Sequence, residues 1–169
     1  MTVADLVDLY QYGAWATNWV LRVASDLSSD DFTTSVAGSY GSVRDTLVHA
    51  LSAQWGWVAR CGGSERGPAL KSGDFPTVES VAELARSVEE RTSAFLATLT
   101  DSDLERFVTY SGTDGESRSF PAGELLYHAA NHGVHHRGQI AILLRELGHT
   151  PGNFDILFYY AERRGVRVW

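Results

Sequence analysis

At 169 residues, with 44% hydrophobic and 21% charged side chains, the chain is expected to form one globular domain, residues 1–169, whose core needs neither disulfide nor metal simply to fold. A formal net charge of −7 argues against a nucleic-acid partner and against binding to an anionic membrane surface, since both need a basic patch. The single cysteine, Cys61, excludes an internal disulfide. With no apolar run near the ~20 residues of a membrane span and no basic, then apolar, leader pattern at the start, a cytoplasmic protein is expected.

Thr2-Val-Ala-Asp5 has the form of a capping box, and Val3, Leu6, Tyr10, Gly13, Thr17, Leu21 and Ala24 follow helical spacing, which predicts a first helix over about 3–27. Ser28-Ser29-Asp30-Asp31 breaks it, and the polar stretch to Gly41 reads as a connection with at most a short turn. Ser42-Val-Arg-Asp45 opens a second helix that runs to about Cys61 through Leu47, Leu51, Trp55 and Val58. "GGSERGPALKSGDFP" reads as an irregular loop. A third helix is predicted over about Val78–Leu99. Phe107–Tyr110 and Ser117–Phe120, separated by "GTDG", predict a short β-hairpin. Pro121 is placed as the first residue of a long fourth helix, which ends at Leu147 with Gly148 just past it, and Asn153 as the cap of a short last helix through Arg163. Four substantial helices make an all-α bundle, antiparallel if successive helices are neighbours.

The fourth helix holds the unusual chemistry. Its apolar positions Leu125, Ala129, Ile140, Leu143 and Leu147 keep a three-and-four spacing, and continuing that line through the gap passes through His132 and His136. Imidazoles four apart on one face stand ~6 Å apart and can share an ion. Several buried neutral imidazoles are costly as plain core, because each ring has a donor and an acceptor to satisfy. A metal takes one nitrogen per ring, and the other needs an acceptor behind it. Two histidines make a weak site, so a third ligand should come from another helix, where His49 is the available histidine. Such a set leaves an open position, as catalytic rather than structural metals do. His128 extends the stripe as a core or supporting group, while His135 and His149 are expected in solvent. Cys61 lies ~18 Å beyond His49 along the helix and is not a ligand. Asp45 and Glu124, one turn before His49 and His128, are candidate supporting acceptors or bases, with ordinary helix-start acids as the alternative. Arg137 is a candidate carboxylate holder, or else a structural ion pair. Gly133 and Gly138 hint at close helix approach. Trp15, Trp19, Trp55 and Trp57 either fill core or line a pocket.

"LLYHAANHGVHHRGQIAILLRELGHTPG", with its histidine pair, Arg-Gly-Gln, apolar run and Leu-Gly turn, resembles the last bundle helix of the DinB/YfiT-like family of bacterial metal-binding four-helix bundles. "LVHALSAQWGWVAR" and "YGAWATNWVL" are similar to that family's second and first helices. The resemblance implies a triad of His49, His132 and His136 around a divalent ion, commonly zinc or nickel. It also implies an unusual bundle connectivity, with a long link between the second and third helices, and frequent homodimers. Several relatives are enzymes that transfer low-molecular-weight thiols to small-molecule substrates or isomerise maleylpyruvate with thiol help. A thiol transferase is therefore the leading expectation, with a non-catalytic metal-binding stress or sensor protein and a metal-dependent hydrolase left open. The zinc-protease motif is excluded, because Gly133 stands where it requires glutamate.

Overall fold

The computed structural model describes residues 1–36, 40–64 and 68–168. The parts of the two expected connections at 37–39 and 65–67 lie outside the described residues. The helices are α1 (Val3–Ala24), α2 (Ser29–Thr33), α3 (Val43–Cys61), α4 (Val78–Leu96), α5 (Ala122–Glu146) and α6 (Ile156–Arg164), with strands β1 (Phe107–Ser111) and β2 (Ser117–Pro121) before α5. The fold is thus mostly helical with one small antiparallel hairpin, pairing Phe107 with Pro121 and Ser111 with Ser117.

Three of the four long helices begin at a capping box. Thr2 and Asp5 start α1, Ser42 and Asp45 start α3, and Thr77 and Ser80 start α4; in each the cap hydroxyl and the N3 side chain satisfy one another's backbone N–H. The fourth, α5, grows straight out of β2. Pro121 is therefore the last strand residue and the cap position, not the first helical residue, because its pairing with Phe107 holds it in the sheet. The Ala122 N–H instead donates to the Arg106 carbonyl, 2.8 Å away.

Several boundaries differ from expectation. The first helix stops at Ala24 and the third at Leu96, each followed by a tight turn that still packs Leu27 or Leu99 onto the core. The connection after α1 contains a true short helix, α2, which buries Phe32 to 1% exposure. Asn153 sits two residues too early to be the cap: Asp155 is the cap residue of α6, and the Asn153 side chain accepts from the Asp155 N–H at 3.2 Å. The end of α5 matches its signal, with Gly148 at φ 81° and the His149 N–H closing on the Leu144 carbonyl.

Packing neighbours are α1 with α4 and α5, and α3 with α4 and α5. The successive long helices α1 and α3 are thus diagonal. One apolar cluster joins the C-terminal halves of α1 and α5 (Val20, Ile140, Leu144) to the N-terminal halves of α3 and α4 (Leu47, Val81, Leu84). The other joins Leu6, Leu125 and Leu126 to Val58, Cys61 and Leu96. Hence α3 and α4 run parallel, and the antiparallel-neighbour expectation fails for that pair. The 62–77 link makes this feasible: the return length of a helix such as α3 is ~28 Å, well within the reach of a chain that long. Each fully buried Leu, Ile or Val contributes ~1.5–3 kcal/mol. Between the two clusters α5 carries a polar stretch, Asn131 to Gln139, and the site is built on it.

Candidate metal centre

The polar stretch of α5 carries His132, His136 and Arg137, and on α3 His49 stands between Val48 and Leu51 of the first cluster. The structure brings His49, His132 and His136 together: one ring nitrogen from each lies within 4.8 Å of the others. His136 is buried, and His49 and His132 are half-buried. The His132 and His136 Nε2 atoms face each other at 3.1 Å. Two nitrogens bound ~2.05 Å from a tetrahedral ion stand ~3.3 Å apart, so this pair already has ligand spacing.

Protonation follows from the partners. His136 Nδ1 lies 2.7 Å from Gln139 Oε1. An amide oxygen only accepts, so this contact places the proton on Nδ1 and leaves the Nε2 lone pair facing inward. His132 Nδ1 is buried with no hydrogen-bond partner. Burial, then the neighbouring histidines, pushes His132 down from 6.5 to about 4. Burial also lowers His136, against the pull of Gln139. With His136 Nε2 as acceptor, the 3.1 Å contact takes its proton from His132 Nε2, a proton an ion would replace. Neutral imidazoles so placed are the donor set a borderline divalent ion takes, so these residues fit such an ion.

The other candidates fall outside that cluster. His128 is exposed and packs against the Trp57 edge, with ring centres 5.5 Å apart. His135 is exposed, although its ring stands 5.0 Å from that of His136. Glu124 is exposed in the first turn of α5. Asp45 is a structural acid: its carboxylate accepts from the Ser42 N–H at 3.1 Å and pairs with Arg44 at 3.1 Å. Burial would raise its pKa, but hydrogen bonds from Ser72, Ser42 and Arg44 outweigh this and hold it at about 2. Cys61 is buried in the lower apolar cluster, where desolvation raises its thiol to about 11. The indoles of Trp15 and Trp19 donate to Glu162 and to the Pro151 carbonyl, tying α1 to the C-terminal segment. Trp55 stacks under Arg91, and Trp57 packs against Tyr110.

Arg137 is buried, 6% exposed, and forms no ion pair among the described residues. Its Nη1 donates to Thr17 Oγ1 at 3.5 Å, and its guanidinium lies over the Tyr12 ring at 5.4 Å. Nε and Nη2 have no partner. The structural ion pair weighed for it is therefore absent. Gly133 makes room for it, since a Cβ there would lie 3.0 Å from Nη1, whereas nothing lies within 4 Å of one on Gly138. The close approach inferred from two glycines holds at Gly133 and fails at Gly138.

Two residues of the site went unassigned in the sequence. Gln139 carries a usable signal, an acceptor three positions after a ligand-like histidine on a helix. Tyr40 carries none. It lies in a polar connection, yet its ring stacks on His49 at 3.9 Å and meets His136 edge-on at 5.9 Å, while 53% of it stays exposed.

Comparison with known proteins bears on the fold and the family. Protein DinB of Bacillus subtilis is 23% identical over 158 residues, covering 89% of this chain and 91% of that protein. The crystal structure of a DinB-like protein from Bacillus cereus superposes with TM-score 0.69 at 22% identity, over 90% of this chain and 97% of that one. A mutant of the mycothiol-dependent maleylpyruvate isomerase shares the fold more distantly, with TM-score 0.53 and 14% identity over 83% of this chain and 63% of that one. The DinB family model matches residues 1–165, and the chain belongs to the DinB family.

Proposed function

We propose that His49, His132 and His136 hold one divalent ion, zinc or nickel, and that the centre serves transfer of a low-molecular-weight thiol onto a small electrophilic molecule. The observation that carries this reading is the convergence of three imidazole nitrogens from two helices within 4.8 Å. Three ligands leave a position open, and an ion held there would supply a site at which a thiol binds as its thiolate near neutral pH.

The chain's own residues do the rest. Burial keeps His132 and His136 neutral, Gln139 fixes the His136 tautomer, and the apolar clusters on either side limit water. Tyr40 stands over His49 at the exposed side, where a substrate would enter. Hydrolysis is less well served: Asp45 is committed to its helix cap, and Glu124 is exposed away from the cluster. The mycothiol dependence named for the isomerase supports a thiol co-substrate. Homodimer formation belongs to the same proposal, supported by the exposed apolar line Tyr127, Val134 and Ile142 on α5. No helix among the described residues is long and apolar enough to cross a membrane.

The test is the visible spectrum of cobalt-substituted protein titrated with low-molecular-weight thiols. A sulfur-to-cobalt charge-transfer band that saturates supports the reading. An unchanged spectrum with every biological thiol tried contradicts it.

A further inference from the structure

We propose that Arg137 anchors a second ligand site, distinct from the histidine cluster, which takes the carboxylate of a small singly charged molecule. Nε and Nη2, the two atoms without a partner, form one edge of the guanidinium and present two parallel N–H bonds. That edge is the one a carboxylate occupies with both oxygens. The guanidinium is otherwise held by the 3.5 Å contact to Thr17 and by Tyr12, which offers both its ring face and a side-chain hydrogen bond, and neither residue carries a formal negative charge.

The room for a ligand lies next to it. A cavity of about 190 Å³ opens between α1, α3 and α4, lined by Gly13, Thr17, Leu51, Gln54, Glu89 and Thr92. A single water needs only ~15 Å³. Thr17 belongs both to this cavity and to the guanidinium, and Nη1 lies 4.0 Å from where a Cβ on Gly13 would sit. Arg137 does not itself line the cavity, and Nε and Nη2 are sealed, so Thr17, which touches both the cavity and the guanidinium, is the barrier a ligand has to displace. The long Thr17 contact gives way, and the guanidinium turns its vacant edge toward the carboxylate. Leu51 offers apolar surface for the remainder of the molecule. Glu89 lines the same cavity, which disfavours a second negative charge and sets a monocarboxylate ahead of phosphate.

The site stands on Arg137 and the cavity, not on the metal reading, so its test uses metal-free full-length chain. Butyrate, butyramide and inorganic phosphate are titrated at neutral pH and followed by ligand-observed NMR. The expected result is saturable butyrate binding at one per chain, with butyramide about tenfold weaker or worse. Arg137→Lys weakens butyrate and Arg137→Met abolishes it. Without ligand, Arg137→Met melts at or above the parent temperature, because it removes an uncompensated buried charge. No saturable butyrate binding, equal binding of the amide, tighter binding of phosphate, or undiminished binding in Arg137→Met overturns the proposal. Should Arg137→Met fail to fold, the Lys variant and the amide comparison decide. Failure here leaves the histidine site untouched, and a chain that binds no metal leaves this site standing.

Discussion

Gln139 Oε1 accepts from His136 Nδ1 at 2.7 Å, and on the far side of the same ring Nε2 faces His132 Nε2 at 3.1 Å. One amide thus decides which nitrogen of His136 is turned toward the cluster. Replacing Gln139 with leucine removes the acceptor and frees the tautomer, so metal affinity is expected to fall ~10–100-fold, while Gln139→Glu keeps it near the parent value. Competition with a chromophoric chelator reads this directly. Equal affinity in Gln139→Leu would show that the amide has no hold on the site.

Acid should destabilise the metal-free protein in a defined window. His132 titrates at about 4 when folded, against 6.5 when exposed, so between those values the unfolded chain binds a proton that the folded chain does not. The stability owed to the neutral ring is complete above pH 6.5. It declines as pH falls to about 4 and changes no further below that, by roughly 1–2 kcal/mol once solvent screening of the half-exposed ring is allowed for. Urea denaturation of chelated protein at about pH 7.5 and about pH 5 measures it, with bound metal adding to the same slope. A midpoint that does not move between the two contradicts the burial of neutral imidazole.

Asp45 offers the opposite test, of a residue that sits near the site in sequence but serves the fold. Ser42→Ala or Asp45→Asn removes half of the α3 capping box and is expected to cost ~1 kcal/mol of stability. Metal content should stay at the parent level. Loss of metal in Asp45→Asn with stability intact would restore Asp45 as a member of the centre.

Core packing and metal binding should also separate. Leu126 is fully buried in the lower cluster, on α5 but away from the histidines. Leu126→Ala is expected to cost ~2–5 kcal/mol while the folded fraction still binds metal, as thermal melts with and without zinc would show.

The sequence makes α5 and its histidines legible because a single spacing runs from Leu125 through His132 and His136 to Leu143, and burial demands that spacing. The hairpin is legible for a similar reason, since its turn residues bracket two short β-forming runs. The order of helices around the bundle is not, because long connections remove the constraint that makes successive helices neighbours. For the same reason α2 is missed: Phe32 alone gives no period to read. Tyr40 reaches His49 through the path of a connection, which local pattern does not encode. Arg137 could be read as a buried cation, but that no carboxylate meets it is a fact of the fold.

The measurement that tests the central claim most directly is metal content per chain, on protein made without an affinity tag, for the parent and for His49→Ala, His132→Ala and His136→Ala. The account predicts one divalent ion per parent chain, lost from each variant while each remains folded. A folded parent that holds no metal and takes up neither zinc nor nickel would contradict it, and the three histidines would then be a polar layer of the bundle and nothing more.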